Sequence, residues 1–186
     1  DIGAWVVQRV TRDIADWVAH GHQPMPVAVN VSARQCINRN IVDVVRNALQ
    51  GSGIAPALLK LEITETTAMT DAARVIELLE EIKALGVRIA VDDFGTGYSS
   101  LAYLKRFPID ELKIDRSFVQ DVATDADDAA IVRATIALAH ELGIQVVAEG
   151  VETRQQSAFL SAQSCDIVQG FLYGRPQPLD QTTPLL

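Results

Sequence analysis

Apolar and polar residues recur along this chain in two rhythms. One is helical. Trp5, Val6, Val10, Ile14, Trp17 and Val18 return at three- and four-residue intervals, which predicts a helix over Gly3 to Ala19 with Asp1 placed to cap it and Gly21 to stop it. Similar stripes predict helices over Ile41 to Leu49, Ala72 to Leu85 behind Asp71, a long one from Asp127 or Asp128 to Leu142, and one from Thr153 to about Ala162. The other rhythm is a short, nearly continuous apolar run. Such runs predict strands at Val27 to Val31, Leu58 to Ile63, Val87 to Asp92, Glu111 to Ile114, Gln145 to Ala148 and Ile167 to Gln169. Shorter helical pieces are predicted after Ser32, over Leu101 to Lys105 and over Phe118 to Val122, and the tail is rich in proline.

Strand and helix therefore alternate, the signature of a parallel sheet covered by helices. Two architectures compete, a doubly wound open sheet and a (β/α)8 TIM-like barrel. The polar residues decide between them. Asn30, Glu62, Asp92, Asp93, Lys113, Asp115, Glu149 and Gln169 fall at or near the carboxyl ends of strands, and every strand contributes. In an open sheet only the strands at the switch point reach one ligand, whereas in a barrel all strand ends converge on one mouth. The expectation is an incomplete barrel with about six of eight βα units. It forms a single domain over 1–186, with about two strands expected before Asp1.

The stretch Ile89-Ala90-Val91-Asp92-Asp93-Phe94-Gly95-Thr96-Gly97-Tyr98-Ser99-Ser100 stands out. Two adjacent carboxylates at a strand end repel, and each raises the other's pKa. A hard divalent cation would remove that cost. Gly95 and Gly97 allow sharp turns and close approach of a ligand, and Ser99 or Ser100 could cap the helix that follows. Read alone, the stretch serves equally as a plain βα turn.

Composition narrows the function classes. With 48% hydrophobic and 22% charged residues, the 186-residue chain can bury a core. A net charge of −8 argues against binding a nucleic-acid polymer, but leaves room for a small phosphate ligand held through metal ions. No apolar run approaches the roughly 20 residues needed to span a bilayer. Cys36 and Cys165 lack the paired spacing of a zinc or redox motif and read as reduced core thiols. His20, His22 and His140 read as surface or packing residues. The acidic charge and the lack of export features suggest a cytoplasmic setting.

The ordered motifs resemble one family. They are Asn30-Val31-Ser32, Glu62-Ile63-Thr64-Glu65, Asp92-Asp93-Phe94-Gly95-Thr96-Gly97-Tyr98-Ser99-Ser100-Leu101, Leu112-Lys113-Ile114-Asp115, Ala148-Glu149-Gly150-Val151-Glu152, and Gln169-Gly170 with Arg175-Pro176. In this order and spacing they resemble the EAL domain, a phosphodiesterase domain that linearises the bacterial second messenger cyclic di-GMP. The Glu-Ala-Leu motif that names the family does not occur in these residues, so the resemblance is to an EAL domain lacking its N-terminal portion.

The resemblance implies a site bearing two divalent ions, Mg²⁺ or Mn²⁺. Asn30, Glu62 and Asp92 would hold one ion together with the Glu of the absent motif. Asp92 would be shared with a second ion, completed by Asp93 or Asp115 and water. Lys113 would hydrogen-bond the attacking water or a phosphate oxygen, and Glu149 would act as general base or orient that water. Glu152 would support them. Gln169, Asp115, Gly170 and Arg175 would meet the substrate, and Glu65 would anchor the loop from Asp93 to Ser100, coupling dimer contacts to metal binding. A homodimer and fusion to a sensory or cyclase-like domain are implied as well. Taken singly, most of these residues have structural explanations. Asn30 could bond neighbouring backbone, Lys113 and Asp115 could form an ordinary ion pair, and Glu149 and Glu152 could favour a helix N-terminus. A non-catalytic cyclic di-GMP receptor and a dimerising interaction module are the alternatives to the enzyme.

Overall fold

Alternate residues of the strands take opposite roles, and that alternation builds the domain. In a computed structural model that describes residues 2–38, 40–97 and 101–183, six parallel strands form one sheet. They are β1 (Val27–Asn30), β2 (Leu59–Thr64), β3 (Arg88–Phe94), β4 (Glu111–Ile114), β5 (Gln145–Ala148) and β6 (Ile167–Val168). Each pairs only with its neighbours in sequence. A strand order without reversal has no switch point, so the sheet is a curled half-barrel wall rather than a doubly wound sheet.

Leu59, Leu61, Ile63, Ile89, Val91, Leu112, Ile114 and Val146 point to one face and are almost completely buried. The helices cover that face. In order they are α1 (Ile2–Ala19), α2 (Ala33–Asn38), α3 (Asn40–Ser52), α4 (Glu65–Thr70), α5 (Ala72–Ala84), α6 (Leu101–Leu104), α7 (Arg116–Gln120), α8 (Ala126–Glu141), α9 (Arg154–Ala162) and α10 (Leu179–Thr182). The apolar stripe of α5, Val75, Ile76, Leu78, Leu79 and Ile82, is wholly in the core.

The other face carries the remaining residues of the strands, and it is charged. At its lower end Glu111, 1% exposed, meets Lys60 Nζ at 2.5 Å and Arg88 at 3.7 Å. At its upper end lie Glu62, Asp92, Lys113 and Glu149. A TIM-barrel interior is ordinarily filled with branched apolar side chains, so this wall departs from the type on its inner side.

Several boundaries differ from the pattern reading. Helix α4 has no apolar stripe to announce it; the Thr64 hydroxyl caps it by accepting the Thr67 N–H. The short α10 lies in the proline-rich tail. Helix α8 starts earlier than Asp127 because the Asp125 carboxylate accepts the N–H groups of Asp127 and Asp128 at 2.8 and 3.1 Å. Helix α7 starts at Arg116, two residues before Phe118, because Asp115 caps it. Thr153 and Gln156 form a reciprocal capping box at α9. The expected caps at Asp1, Ser99 and Ser100 lie outside the described residues. Among the described residues no helix is long and apolar enough to cross a membrane.

Two measurements check this core. Leu112, fully buried in β4, should lose about 2–5 kcal/mol on replacement by alanine, read by urea unfolding. Cys36 is free and buried, and burial pushes its thiol up to about 11. It should resist alkylation at pH 8 until urea unfolds the protein. Because the folded state holds this proton more tightly, the associated stabilisation is complete below the ordinary thiol value of 9.0 and is lost as pH rises toward 11.

Candidate active site

The upper end of the wall is built around one cation. Lys113 sits at an inward position of β4, between Leu112 and Ile114, and is 5% exposed. Its Nζ lies 2.8 Å from Glu62, 3.0 Å from Asp92 and 2.7 Å from Glu149. The carboxylates come from β2, from β3 and from the residue after β5, so one ammonium joins four neighbouring segments. Burial alone would lower its pKa, but the bonds to Glu149, Glu62 and Asp92 raise it above the ordinary lysine value. The stabilisation is therefore complete below 10.5 and fades only as pH climbs past it.

The two aspartates reach the mouth together through a defect in the sheet. In a regular strand Asp92 and Asp93 would face opposite sides. Here Val91 pairs with Leu112 and Phe94 with Ile114, so β3 spends two residues, Asp92 and Asp93, where β4 spends only Lys113. This is a β-bulge. Asp93 takes φ +55, the left-handed region that a non-glycine residue adopts at some cost, and its N–H bonds the Asp92 carboxylate at 3.0 Å. The result is a cluster in which Asp92, Asp93 and Glu149 each place a carboxylate oxygen within 4.8 Å of the others.

Electrostatics divide these acids. Burial raises the Asp93 pKa, and Asp92 and Asp115 raise it further. Burial also opposes ionisation of Asp115, but bonds from the Ser117 hydroxyl and N–H and from the Arg116 N–H outweigh it, and its pKa falls. The two neighbours, Asp93 and Asp115, are thus shifted in opposite directions. Burial raises Glu149, which Lys113 opposes and Asp92 and Glu62 reinforce.

Beside Glu149 opens a cleft of ≈ 450 Å³, lined among others by Glu152, Gln169 and Gly170. Gly170 is packed so closely that an added Cβ would stand 2.1 Å from the Val151 carbonyl oxygen. The loop beyond β3 is tied down by Glu65, 1% exposed, which accepts the N–H of Gly95 at 2.8 Å and of Gly97 at 3.3 Å. Gly95 has φ +100, and a side chain there would collide with the Phe118 ring.

The expected residues thus fall into groups. Glu62, Asp92, Lys113 and Glu149 form one network, and Asp93 and Asp115 adjoin it. Glu152, Gln169 and Gly170 line the cleft. Asn30 is exposed at the end of β1, in register with Glu62 of the neighbouring strand. Arg175 is exposed and sits over the Phe171 ring at 4.5 Å. The sequence reading passed over Arg116, Gln156 and Phe171, which also line the cleft. For Arg116 the signal was available, a cation two residues past the carboxyl end of a strand.

All the donors in the cluster are carboxylate oxygens, a set that fits a hard divalent cation. Replacing Lys113 with methionine would leave three facing carboxylates without their counter-charge. It should cost about 3–5 kcal/mol at pH 7. The deficit should shrink toward pH 5 as the acids take up protons, which urea unfolding at both pH values would measure.

The sequence profile of the EAL domain matches residues 1–176. Over 180 residues the chain is 51% identical to the bifunctional diguanylate cyclase/cyclic di-GMP phosphodiesterase MucR of Pseudomonas aeruginosa, covering 97% of this chain and 26% of that protein. It superposes on the solved MucR phosphodiesterase in its cyclic di-GMP complex with a TM-score of 0.94 at 51% identity, covering 100% of this chain and 74% of that one. A Klebsiella pneumoniae protein solved with manganese and cyclic di-GMP superposes with a TM-score of 0.83 at 30% identity, covering 94% of this chain and 44% of that one. The chain spans about a quarter of the length of the curated relatives it matches. Profile, relatives and fold agree with the ordered motifs, and the chain belongs to the EAL domain family.

Proposed function

We propose that this domain hydrolyses cyclic di-GMP to the linear dinucleotide in a metal-dependent reaction, as part of a bacterial signalling protein. The observation that carries this reading is the carboxylate cluster of Asp92, Asp93 and Glu149, drawn around buried Lys113 and opening onto a cleft. Asp92, Asp93 and Glu149 would hold Mg²⁺ or Mn²⁺, with Glu62 and Asn30, register partners on β2 and β1, extending the oxygen set. Bound there, the ions would supply Lewis-acid polarisation of the phosphodiester and activation of water.

The protein's own groups do the rest. Lys113 holds a fixed positive charge beside the place where negative charge develops on phosphorus oxygens. Glu149 has its pKa raised by burial, which suits a carboxylate that accepts or orients a proton of the attacking water. Glu152 supports that turn, and Asp115, Gln169, Gly170 and Arg175 meet the nucleotide. Glu65 keeps the loop after Asp93 in place through Gly95 and Gly97. Pairing of two copies through that loop would couple assembly to the cluster. A homodimer, a cytoplasmic setting and an attached sensory or cyclase-like domain complete the proposal.

The test is chromatographic detection of the linear dinucleotide after incubation of the protein with cyclic di-GMP and Mg²⁺ or Mn²⁺. Product should form, and chelation with EDTA should abolish it. Glu149→Gln should lower kcat about 10²–10⁴-fold. Binding without cleavage would instead favour a receptor, and neither binding nor cleavage would overturn the reading.

A further inference from the structure

Arg116 is the first residue of α7 and follows Asp115 directly. Among the described residues lining the cleft it is the only cation, and it shares the lining with Glu149 and Glu152. It is exposed and forms no ion pair with another described residue. An arginine at the edge of an acidic cluster, its planar fork uncommitted, is matched to an anion that arrives from outside.

Two devices hold this wall of the cleft in place. Gly150 has φ +70, and a Cβ there would stand 2.5 Å from Arg116 Cβ and 3.3 Å from its Cα. Only glycine lets the turn after Glu149 lie directly against the start of α7. Gln156, 6% exposed, then braces the other end. Its Oε1 accepts the N–H groups of Glu152 and Thr153, each at 2.8 Å, and its Nε2 donates to the Gln120 carbonyl at 2.8 Å. One buried amide thus ties the turn carrying Glu149 and Glu152 to the last residue of α7. Arg116 faces the cleft from a segment fixed at both ends, a preorganised arrangement.

We propose that Arg116 is a substrate-binding residue whose guanidinium grips the phosphodiester of the cyclic dinucleotide that is not being cleaved. This rests on the function proposed above. The substrate carries two phosphodiesters and so two negative charges. The carboxylate cluster and Lys113 serve the one that is hydrolysed, and Lys113 is already committed to three carboxylates. The second phosphate enters a cleft with two carboxylates in a chain of net charge −8 and needs its own counter-charge. A guanidinium presents paired donors that match two phosphate oxygens.

The experiment is steady-state hydrolysis of cyclic di-GMP with Mn²⁺ by the purified protein and its Arg116→Ala and Arg116→Lys variants, with thermal melts on all three. Arg116→Ala should raise KM about ten- to a hundredfold, the loss of one charge-assisted contact, with kcat within about threefold of the parent. Arg116→Lys, which keeps the aliphatic stem against Gly150 and a point charge, should recover part of that loss and remains informative if the alanine variant unfolds. An unchanged KM in both variants, or a fall in kcat at constant KM, overturns the assignment of Arg116. Failure of the parent protein to turn over cyclic di-GMP overturns the function on which it rests, so the two failures are distinguishable.

Discussion

A buried ammonium must be neutralised, and in this fold that requirement organises the mouth of the barrel wall. Lys113 is almost wholly removed from bulk water, and Glu62, Asp92 and Glu149 converge on it from three other segments. Removing charges from water is costly, and buried ion pairs add little net stability compared with apolar packing. Their contribution here is geometric. Three carboxylates that would repel one another are held at fixed positions within reach of a common point. The group still carries more negative than positive charge, so it has capacity left for added cations.

The backbone contributes as much as the charges. The bulge at Asp92 and Asp93 breaks the strand's alternation and turns consecutive side chains toward one site. Its left-handed residue is a local strain of the kind that persists where surrounding structure enforces it. That enforcement comes from Glu65, buried below the loop and accepting two of its N–H groups. The same economy recurs around the cleft. Gly150 and Gly170 permit contacts a Cβ would forbid, and Gln156 crosses from one wall to the other. Small residues and buried amides thus set the shape into which charged side chains project.

The local chemistry at the mouth of the wall makes its own argument beside membership of the EAL domain family. The donor set is oxygen-only, the acids have divergent pKa shifts, and a cleft lies alongside. Divergent shifts among neighbouring acids are a general mark of a functional site. Structural ion pairing accounts for the other end of the wall, where Glu111 is satisfied by Lys60 and Arg88 and, among the described residues, no metal-competent cluster of acids forms. The two ends of the wall thus differ in charge balance, one with an acid matched by two cations and the other with an excess of acids around one.

Much of this was legible in the sequence, for a physical reason. Strands covered by helices must be apolar on the covered side, so the runs around Leu61, Val91, Leu112 and Val146 announced the sheet. The polar residues interrupting them, Glu62, Asp92, Lys113 and Glu149, announced the mouth. Short, locally capped elements were less legible. Helix α4 rests on the Thr64 hydroxyl, and α8 begins where Asp125 accepts two N–H groups, neither of which leaves a periodic stripe. What only the tertiary structure decided is which acids meet. Periodicity places Asp92 and Asp93 on opposite faces, and it took the bulge against β4 to bring them together with Glu149. Spacing along the chain determines which side of an element a residue occupies. Where elements pack, and where their register slips, determines which residues share a site.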